Sequence, residues 1–465
     1  MSRRSRLLGL ALTLGVAQPA AAQQTGAQAG TATPAPRPAA TPSAPHDRLK
    51  NIPLAGTHPL SLSIGGQLRW REELYRGFNT LDVNDDNSQS RVLLSADLVA
   101  GRKARGYARL FTEVRDDQSY GRTLPGGARP QDEDRHDVQT LQAEVGRGAN
   151  FLRVGRQEIA LGQQRLIGVA DWSNTRRSSE GVRLQLVRGT LAFEAVDARP
   201  VTVRQFARNV ADSTQRYRTL SLGSAAGAKP LARGLPAVWQ AYWYEQAIHP
   251  VSGARTYRLT TGGRVQWNWG TPKSAITRSF EVEAAAQRGT VGTKDIHAWF
   301  AVAEAQLQWK HVHGAPTLAL GIEQASGERP ATTGTLEAFT VLYPAAHSHG
   351  GYADVIGRTN ARELHTVSSW DPFAPLNLRL ALYRFDRVRL DDAAYTKQST
   401  VFRAAGTNRD RHIADELDLT GTWRLDTHWR VVFGGGLVAP GAFLERTTTQ
   451  SRTEHWGFGG ITLTF

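Results

Sequence analysis

Arginine is the residue in this sequence whose type and spacing could do chemistry. Of 56 basic residues only seven are lysine and 49 are arginine, and the formal charge is +14. Arg69, Arg71, Arg91, Arg109, Arg115, Arg183, Arg379 and Arg430 fall opposite apolar positions in extended stretches. In a strand that arrangement puts the guanidinium groups on one face and the apolar side chains on the other. A guanidinium is planar, permanently charged and grips a carboxylate or phosphate through two parallel N–H bonds, which an ammonium does not. Rings of such groups around a pore select anions. Arg156 and Arg165 flank a break in the alternation and are expected beside the same lumen. The expected substrate-channel set is therefore Arg69, Arg71, Arg109, Arg156, Arg165, Arg183 and Arg379. A competing reading pairs inward arginines with inward acids such as Glu73, Asp97, Glu113, Glu194 and Asp418, which keeps a wet lumen rigid, and a codon bias toward arginine would also raise the count.

The elements that must position these groups are strands. In "LSLSIGGQLRWREE" Leu60, Leu62, Ile64, Gly66, Leu68 and Trp70 share one face, and Gln67, Arg69, Arg71 and Glu73 the other. Strict alternation over a dozen residues exceeds the usual five or six of a globular strand and suits a tilted strand crossing a bilayer. "RVLLSADLVAGRKARGYARLFTEVRDD", "GVRLQLVRGTLAFEAVDA", "LNLRLALYRFDRV" and "ELDLTGTWRLDTHWRVV" repeat the pattern around tight turns. In "NFLRVGRQEIALGQQRLIG" the apolar face switches between Val154 and Ile159, which predicts a bulge or turn near Gly155–Glu158. Trp and Tyr cluster in "AVWQAYWYEQ" and "VQWNWG", as interfacial girdles do. No helical periodicity of comparable length competes.

The ends fit export to a membrane. Residues 1–22 carry Arg3, Arg4 and Arg6, an apolar run and then small residues, the layout of a secretory signal peptide. Without those three arginines the charge is +11. Residues 23–53 read as a Pro/Ala/Thr-rich disordered leader, and 54–465 as one barrel domain. Cysteine is absent, so no disulfide braces the fold, and no apolar run after the signal is long enough for a helical span. In hydrocarbon a sheet survives only if its edges join. The final "WGFGGITLTF" should therefore pair with the strand near Leu60–Trp70, with Ile461, Leu463 and Phe465 toward lipid and Thr462 and Thr464 inward. Those three apolar residues also match the terminal signal read by the barrel-assembly machinery of bacterial outer membranes. The fold class expected is all-β, a large antiparallel transmembrane β-barrel closed by its first and last strands.

Several separated blocks, "RVGRQEIALGQQRLIG", "DWSNTRRSSEGVRL", "LYPAAHSHGGYADVIGRTN", "HIADELDLTGTWRL" and "GGGLVAPGAF", resemble those of the alginate-export outer-membrane proteins. The resemblance spans most of the chain after the leader. It implies an 18-stranded monomeric barrel in the Gram-negative outer membrane and a passive, arginine-lined channel for an anionic polysaccharide such as alginate. Two other functions fit the residues: a porin-like, anion-selective uptake channel for small carboxylates, and a secreted all-β binding protein that never enters a membrane. Catalysis, cofactors and nucleic acid have no support, since no nucleophile elbow, metalloprotease helix, phosphate loop, zinc pattern or basic helix is present. His347/His349 and His311/His313 could each place two imidazoles together, and "DVNDDN" (82–87) and "QDED" (131–134) could hold calcium. Exposed histidine and polar loop are the simpler readings.

Overall fold

The computed structural model describes residues 48–54, 59–124, 126–230, 232, 234–271, 273–329, 334–345, 347–448 and 450–465. The signal peptide and most of the leader expected from the sequence lie outside the described residues.

Eighteen long strands follow one another: β1 (Leu60–Arg76), β2 (Asn84–Arg102), β3 (Gly106–Tyr120), β4 (Asp134–Arg147), β5 (Asn150–Gln157), β6 (Ser179–Arg188), β7 (Leu191–Thr202), β8 (Gln215–Ser224), β9 (Val238–Ile248), β10 (Thr256–Trp269), β11 (Ile276–Val291), β12 (Lys294–Trp309), β13 (Thr317–Ala325), β14 (Ala361–Phe373), β15 (Leu376–Arg387), β16 (His412–Arg424), β17 (Trp429–Pro440) and β18 (Glu454–Thr464). Each pairs antiparallel with the next, and β18 returns to β1 in a register running from Gln67↔Thr464 to Arg76↔His455. The sheet is a closed barrel without a free edge, the arrangement that satisfies every strand's backbone in hydrocarbon.

Alternation decides which face meets lipid. On β16 Leu419 is 52% exposed while its neighbour Asp418 is 0% exposed. Leu68, Trp70, Leu74, Leu94, Leu110, Leu220, Leu222, Leu380 and Leu382 continue the outward apolar belt around the barrel. Trp269, Phe373, Trp423 and Trp429 are exposed beside the short turns, and Trp70 stacks on Tyr120 (6.0 Å) nearer the long loops. These are the two aromatic girdles of a bilayer-spanning barrel. One expected girdle segment divides: Trp267 and Trp269 face outward, whereas Tyr242 and Tyr244 point into the barrel and are buried.

The chain end is held by backbone as well as side chain. Gly66 N–H donates to the Phe465 carboxyl oxygen (2.9 Å), Phe465 N–H donates to Gly66 O (3.1 Å), and Lys50 Nζ reaches the same Phe465 oxygen (3.1 Å). A Cβ on Gly66 would lie 2.8 Å from Phe465 Cζ, so glycine is what lets the ring seat there. Ile52–Pro53 adds a two-residue strand beside β1. Ile461 is exposed and Thr462 is 3% exposed, turned inward. Removing Phe465 deletes the last closing contacts. The yield of heat-modifiable, membrane-inserted protein should fall severalfold, while single-channel conductance of the inserted fraction stays that of the full chain.

Candidate functional site

Most connections at one end of the barrel are short turns, and the longest ones lie at the other end. Two of the long ones do not extend outward. Residues 158–178 leave β5, enter the barrel and rejoin the wall at β6, and residues 334–345 and 347–360 enter it between β13 and β14. They meet inside: Gly168 N–H donates to Tyr343 O (2.7 Å), Tyr343 N–H donates to Leu166 O (2.8 Å), and Ile167 bridges Tyr343 in parallel. The switch of apolar phase after Val154 is thus the end of β5 and the entry of a loop, not a bulge within a strand.

Apolar packing explains why these loops fold inward. Ile159, Leu161, Leu166 and Ile167 of the first loop and Phe339, Val341 and Leu342 of the second pack in one buried cluster. The wall side chains of that cluster include Tyr242, Tyr244, Ile296, Phe300 and Val302. Burying each large apolar side chain contributes about 1.5–3 kcal/mol, which favours the docked loops over exposed ones. One side of the lumen is therefore dry and filled.

The opposite side is polar. Arg69, Arg71 and Arg91 on β1 and β2 hold the segment Asp171–Asn174. Arg69 Nη1 donates to Asp171 O (3.1 Å) and Arg71 Nη1 to Trp172 O (2.7 Å). Arg91 pairs with Asp171 (2.9 Å) and donates through Nε to Asn174 O (2.8 Å). The Arg71 guanidinium also lies over the Trp172 ring at 4.0 Å. Arg71 and Arg91 are only 2% and 1% exposed, so they clamp the loop and electrify the wall from behind it. Asn174 completes the clamp. Its amide donates to Ser90 O (2.9 Å), Gln118 O (3.1 Å) and Asp132 O (3.0 Å), and its carbonyl accepts from Arg69 (3.0 Å).

The second loop is pinned by acids. Tyr352 N–H donates to Asp418 Oδ2 (3.0 Å) and Ala353 N–H to Glu416 Oε1 (2.8 Å). Gly351, at φ +83, approaches Glu416 so closely that a Cβ would lie 2.2 Å from Oε2. Lys397 closes the same corner by donating to His349 O (2.8 Å). Tyr352 stacks against the neighbouring rings of Trp456 and Phe458 (both 5.3 Å), and Trp172 meets Tyr352 and Phe458 edge-on at 5.0 and 4.8 Å. An aromatic group thus stands where the two loops meet the arginine wall.

The remaining expected arginines divide by partner. Arg109 is bidentate to Asp97 (2.7 and 3.0 Å), and Arg183 binds Glu194 (2.7 Å). Arg165, inside the first loop, bridges Glu281 and Glu283 (2.7 Å each) and lines a small cavity with Glu323, His349, Arg358, Glu363 and Lys397. Arg379 faces the lumen and donates to Tyr383 Oη (2.7 Å), and its Nε and Nη1 hold no hydrogen-bond partner among the described residues. Arg430 on β17 is inward, beside Thr462. Arg69, Arg71, Arg91, Arg379 and Arg430 thus gather on one side of the lumen, where Glu73 pairs with Arg71 (2.8 Å) and Asp171 with Arg91, while Arg109 and Arg183 belong to charge-balanced pairs elsewhere.

Arg156 corrects the expected set. It pairs in register with Leu141, which is exposed in the belt, and with outward Glu180, so it does not face the channel. Where β5 leaves the wall, backbone carbonyls lose their strand partners, and Arg156 donates to Val138 O (2.9 Å) and Asn209 O (3.0 Å) while binding Glu180 (2.7 Å). It seals a seam. Arg156→Ala should lower thermal stability, by about 1–3 kcal/mol for each carbonyl left buried without a donor, and leave ion selectivity in bilayers unchanged.

His347 and His349 lie in the second loop rather than on a strand. His347 packs on Trp172 (4.7 Å), and a ring nitrogen of His349 meets Gln163 O (2.8 Å). Among the described residues no group of three metal-ligating side chains comes together. Burial, with Arg165 nearby, pushes the His349 imidazole from its ordinary 6.5 down to about 3. Because the docked loop keeps this ring neutral and the undocked ring protonates near 6.5, docking weakens as pH falls from about 6.5 toward 3. Current noise from loop opening should rise over that interval and be flattened in His349→Gln. Asp171 shifts in the same direction from a different cause: burial alone would raise its carboxyl, but Arg91, Arg176 and Arg69 outweigh burial and hold it low.

The model of the alginate export family matches residues 60–458. The chain belongs to the alginate export family. No curated protein sequence matches it. Solved structures of similar shape include the outer-membrane protein OpdK of Pseudomonas aeruginosa, with a TM-score of 0.60, 12% identity, and 87% of this chain and 98% of that one covered. OccK2 (OpdF) of the same organism, solved in complex with glucuronate, has a TM-score of 0.59 and 10% identity over 87% and 96% of the two chains. OpdK with vanillate has a TM-score of 0.57 and 11% identity over 86% and 98%. At these identities the likeness is one of fold. Family and fold are those of an outer-membrane channel. The members of the site that alternation did not reveal are Asp171, Trp172, Asn174 and Tyr352. The available signal was the apolar Ile159, Leu161, Leu166 and Ile167 in a stretch that fits no strand.

Proposed function

We propose that this alginate export family member is a passive, anion-selective outer-membrane channel that lets an anionic polysaccharide of the alginate type leave the periplasm. The chain carries out no catalytic step and needs no cofactor. The observation that carries the reading is the cationic side of the lumen, where Arg379 and Arg430 face the channel and the buried Arg69, Arg71 and Arg91 add positive field from behind the first loop, set beside the Trp172/Tyr352 aromatic group. A uronate offers a carboxylate for the guanidinium groups and an apolar sugar face for the rings. Successive weak exchange of carboxylates along such a wall permits passage, because each site must release what it binds. The signal peptide delivers the chain to the periplasm, the barrel-assembly machinery reads Ile461, Leu463 and Phe465, and the closed sheet functions as a monomer.

A second reading has its own support. The two inward loops occupy much of the lumen, and small carboxylates would pass such a narrowed channel without loop movement. OccK2 (OpdF), similar in fold, was solved with glucuronate. Liposome swelling separates the two. Entry of uronate oligomers ahead of neutral oligosaccharides of equal length supports polymer passage. Entry of monomeric uronate alone favours the small-carboxylate channel, and equal entry of charged and neutral sugars contradicts both.

A further inference from the structure

The outer wall changes from apolar to cationic where β7 and β8 approach the long-loop end. On β8 Leu222 and Leu220 lie exposed in the apolar belt, and Arg218 and Arg216 continue the same outward register. On β7 Asp197 and Arg199 take the outward positions, Arg199 in register with Glu180. The connection between these strands adds exposed Arg204, Arg208 and Phe206, the last 78% exposed.

Partners distinguish this sector from the rest of the rim. Asp197 is bound by Arg216 (2.6 Å) and Arg218 (3.4 Å), and Glu245 by Arg218 (2.9 Å). Glu180 is taken by Arg156. The guanidinium groups of Arg199, Arg204 and Arg208 have no hydrogen bond or ion pair among the described residues. By contrast, Arg76, Arg362 and Arg384 at the same end are matched by Asp86, Asp386 and Asp415. Five arginines therefore meet Asp197, Glu245 and Asp212, the last already accepting from Thr214 and Gln215, directly above a strip of leucines.

We propose that this sector binds the phosphorylated headgroup of an outer-leaflet lipid. Acyl chains lie along Leu220 and Leu222, the arginines take the phosphate bidentately, and Phe206 enters the headgroup layer as interfacial aromatics do. The charge complementarity is local, so the lipid is held at one side of the barrel rather than around its whole girth.

The test uses the purified full chain in detergent and native mass spectrometry with a bisphosphorylated glycolipid as probe. The wild type should retain the lipid, and R199E/R204E/R208E should bind it about tenfold or more weakly, with R452E elsewhere on the rim behaving as wild type. The same glycolipid stripped of phosphate should bind the wild type as poorly, a comparison that needs no variant to fold. Millimolar inorganic phosphate should leave the bound lipid in place. Equal binding by the triple variant, equal binding of the phosphate-free lipid, or displacement by inorganic phosphate alone would each overturn the assignment.

Discussion

Replacing Arg379 and Arg430 by glutamate turns an anion-preferring channel into a cation-preferring one. Both residues face the lumen, on β15 and β17, and the Arg379 guanidinium makes its one hydrogen bond to Tyr383 within the wall. Arg379 anchors neither loop through a hydrogen bond, so its reversal changes the field without unpinning the constriction. A cleft lined by one sign of charge between low-dielectric walls raises the local counter-ion concentration roughly tenfold or more. R379E/R430E should therefore move the anion-to-cation permeability ratio by about that factor, read as a change in sign of the reversal potential under a salt gradient. R109E, by contrast, breaks a balanced pair with Asp97 and should shift selectivity much less.

The second large effect concerns the loops. Asn174 sits at the centre of the clamp, with amide donors to three backbone carbonyls and a carbonyl that accepts from Arg69. Asn174→Leu removes these bonds and leaves charged Arg69 with one acceptor fewer. Hydrogen bonds to charged groups contribute roughly 1.5–3 kcal/mol, and each 1.4 kcal/mol is about tenfold in population. Undocked states of the 158–178 loop should become roughly tenfold to a hundredfold more frequent, seen in bilayers as long openings of higher conductance. Removing residues 163–175 altogether should fix the channel in that high-conductance state, with heat-modifiable mobility confirming that the barrel still forms. A deletion variant with unchanged conductance would mean that the loop does not obstruct the permeation path.

How much of this could be read from residues alone follows from what alternation encodes. On β1, β2 and β16 one face meets lipid and the other water or polar groups. The two-residue period therefore places Arg69, Arg71, Arg91 and Asp418 correctly, and closure follows from the cost of an open edge in hydrocarbon. The period fails on β12, where Ile296, Ala298, Phe300 and Val302 are buried inward while Trp299 is exposed outward. That strand is apolar on both faces because its inner face is covered by loops rather than water, and a covered face has no polar signature. Arg156 is a different case. It continues the outward phase of Leu152 and Val154, so the period itself sets it apart from the lumen, and its side chain rises into the seam left where β5 ends at Gln157. Pairing separates Arg109 and Arg183, held by Asp97 and Glu194 across the tight hairpins of β2–β3 and β6–β7, from Arg379, and for those two the competing reading of inward arginine on inward acid describes the wall.

The central claim is that anions, and uronates among them, carry current through this lumen. Reversal potential across a planar bilayer holding the wild-type protein, with a potassium salt of a uronate oligomer graded across it, tests that claim most directly. The account predicts a potential of the sign set by uronate permeation, reduced or inverted in R379E/R430E. A potential of the opposite sign, set by potassium, would contradict it.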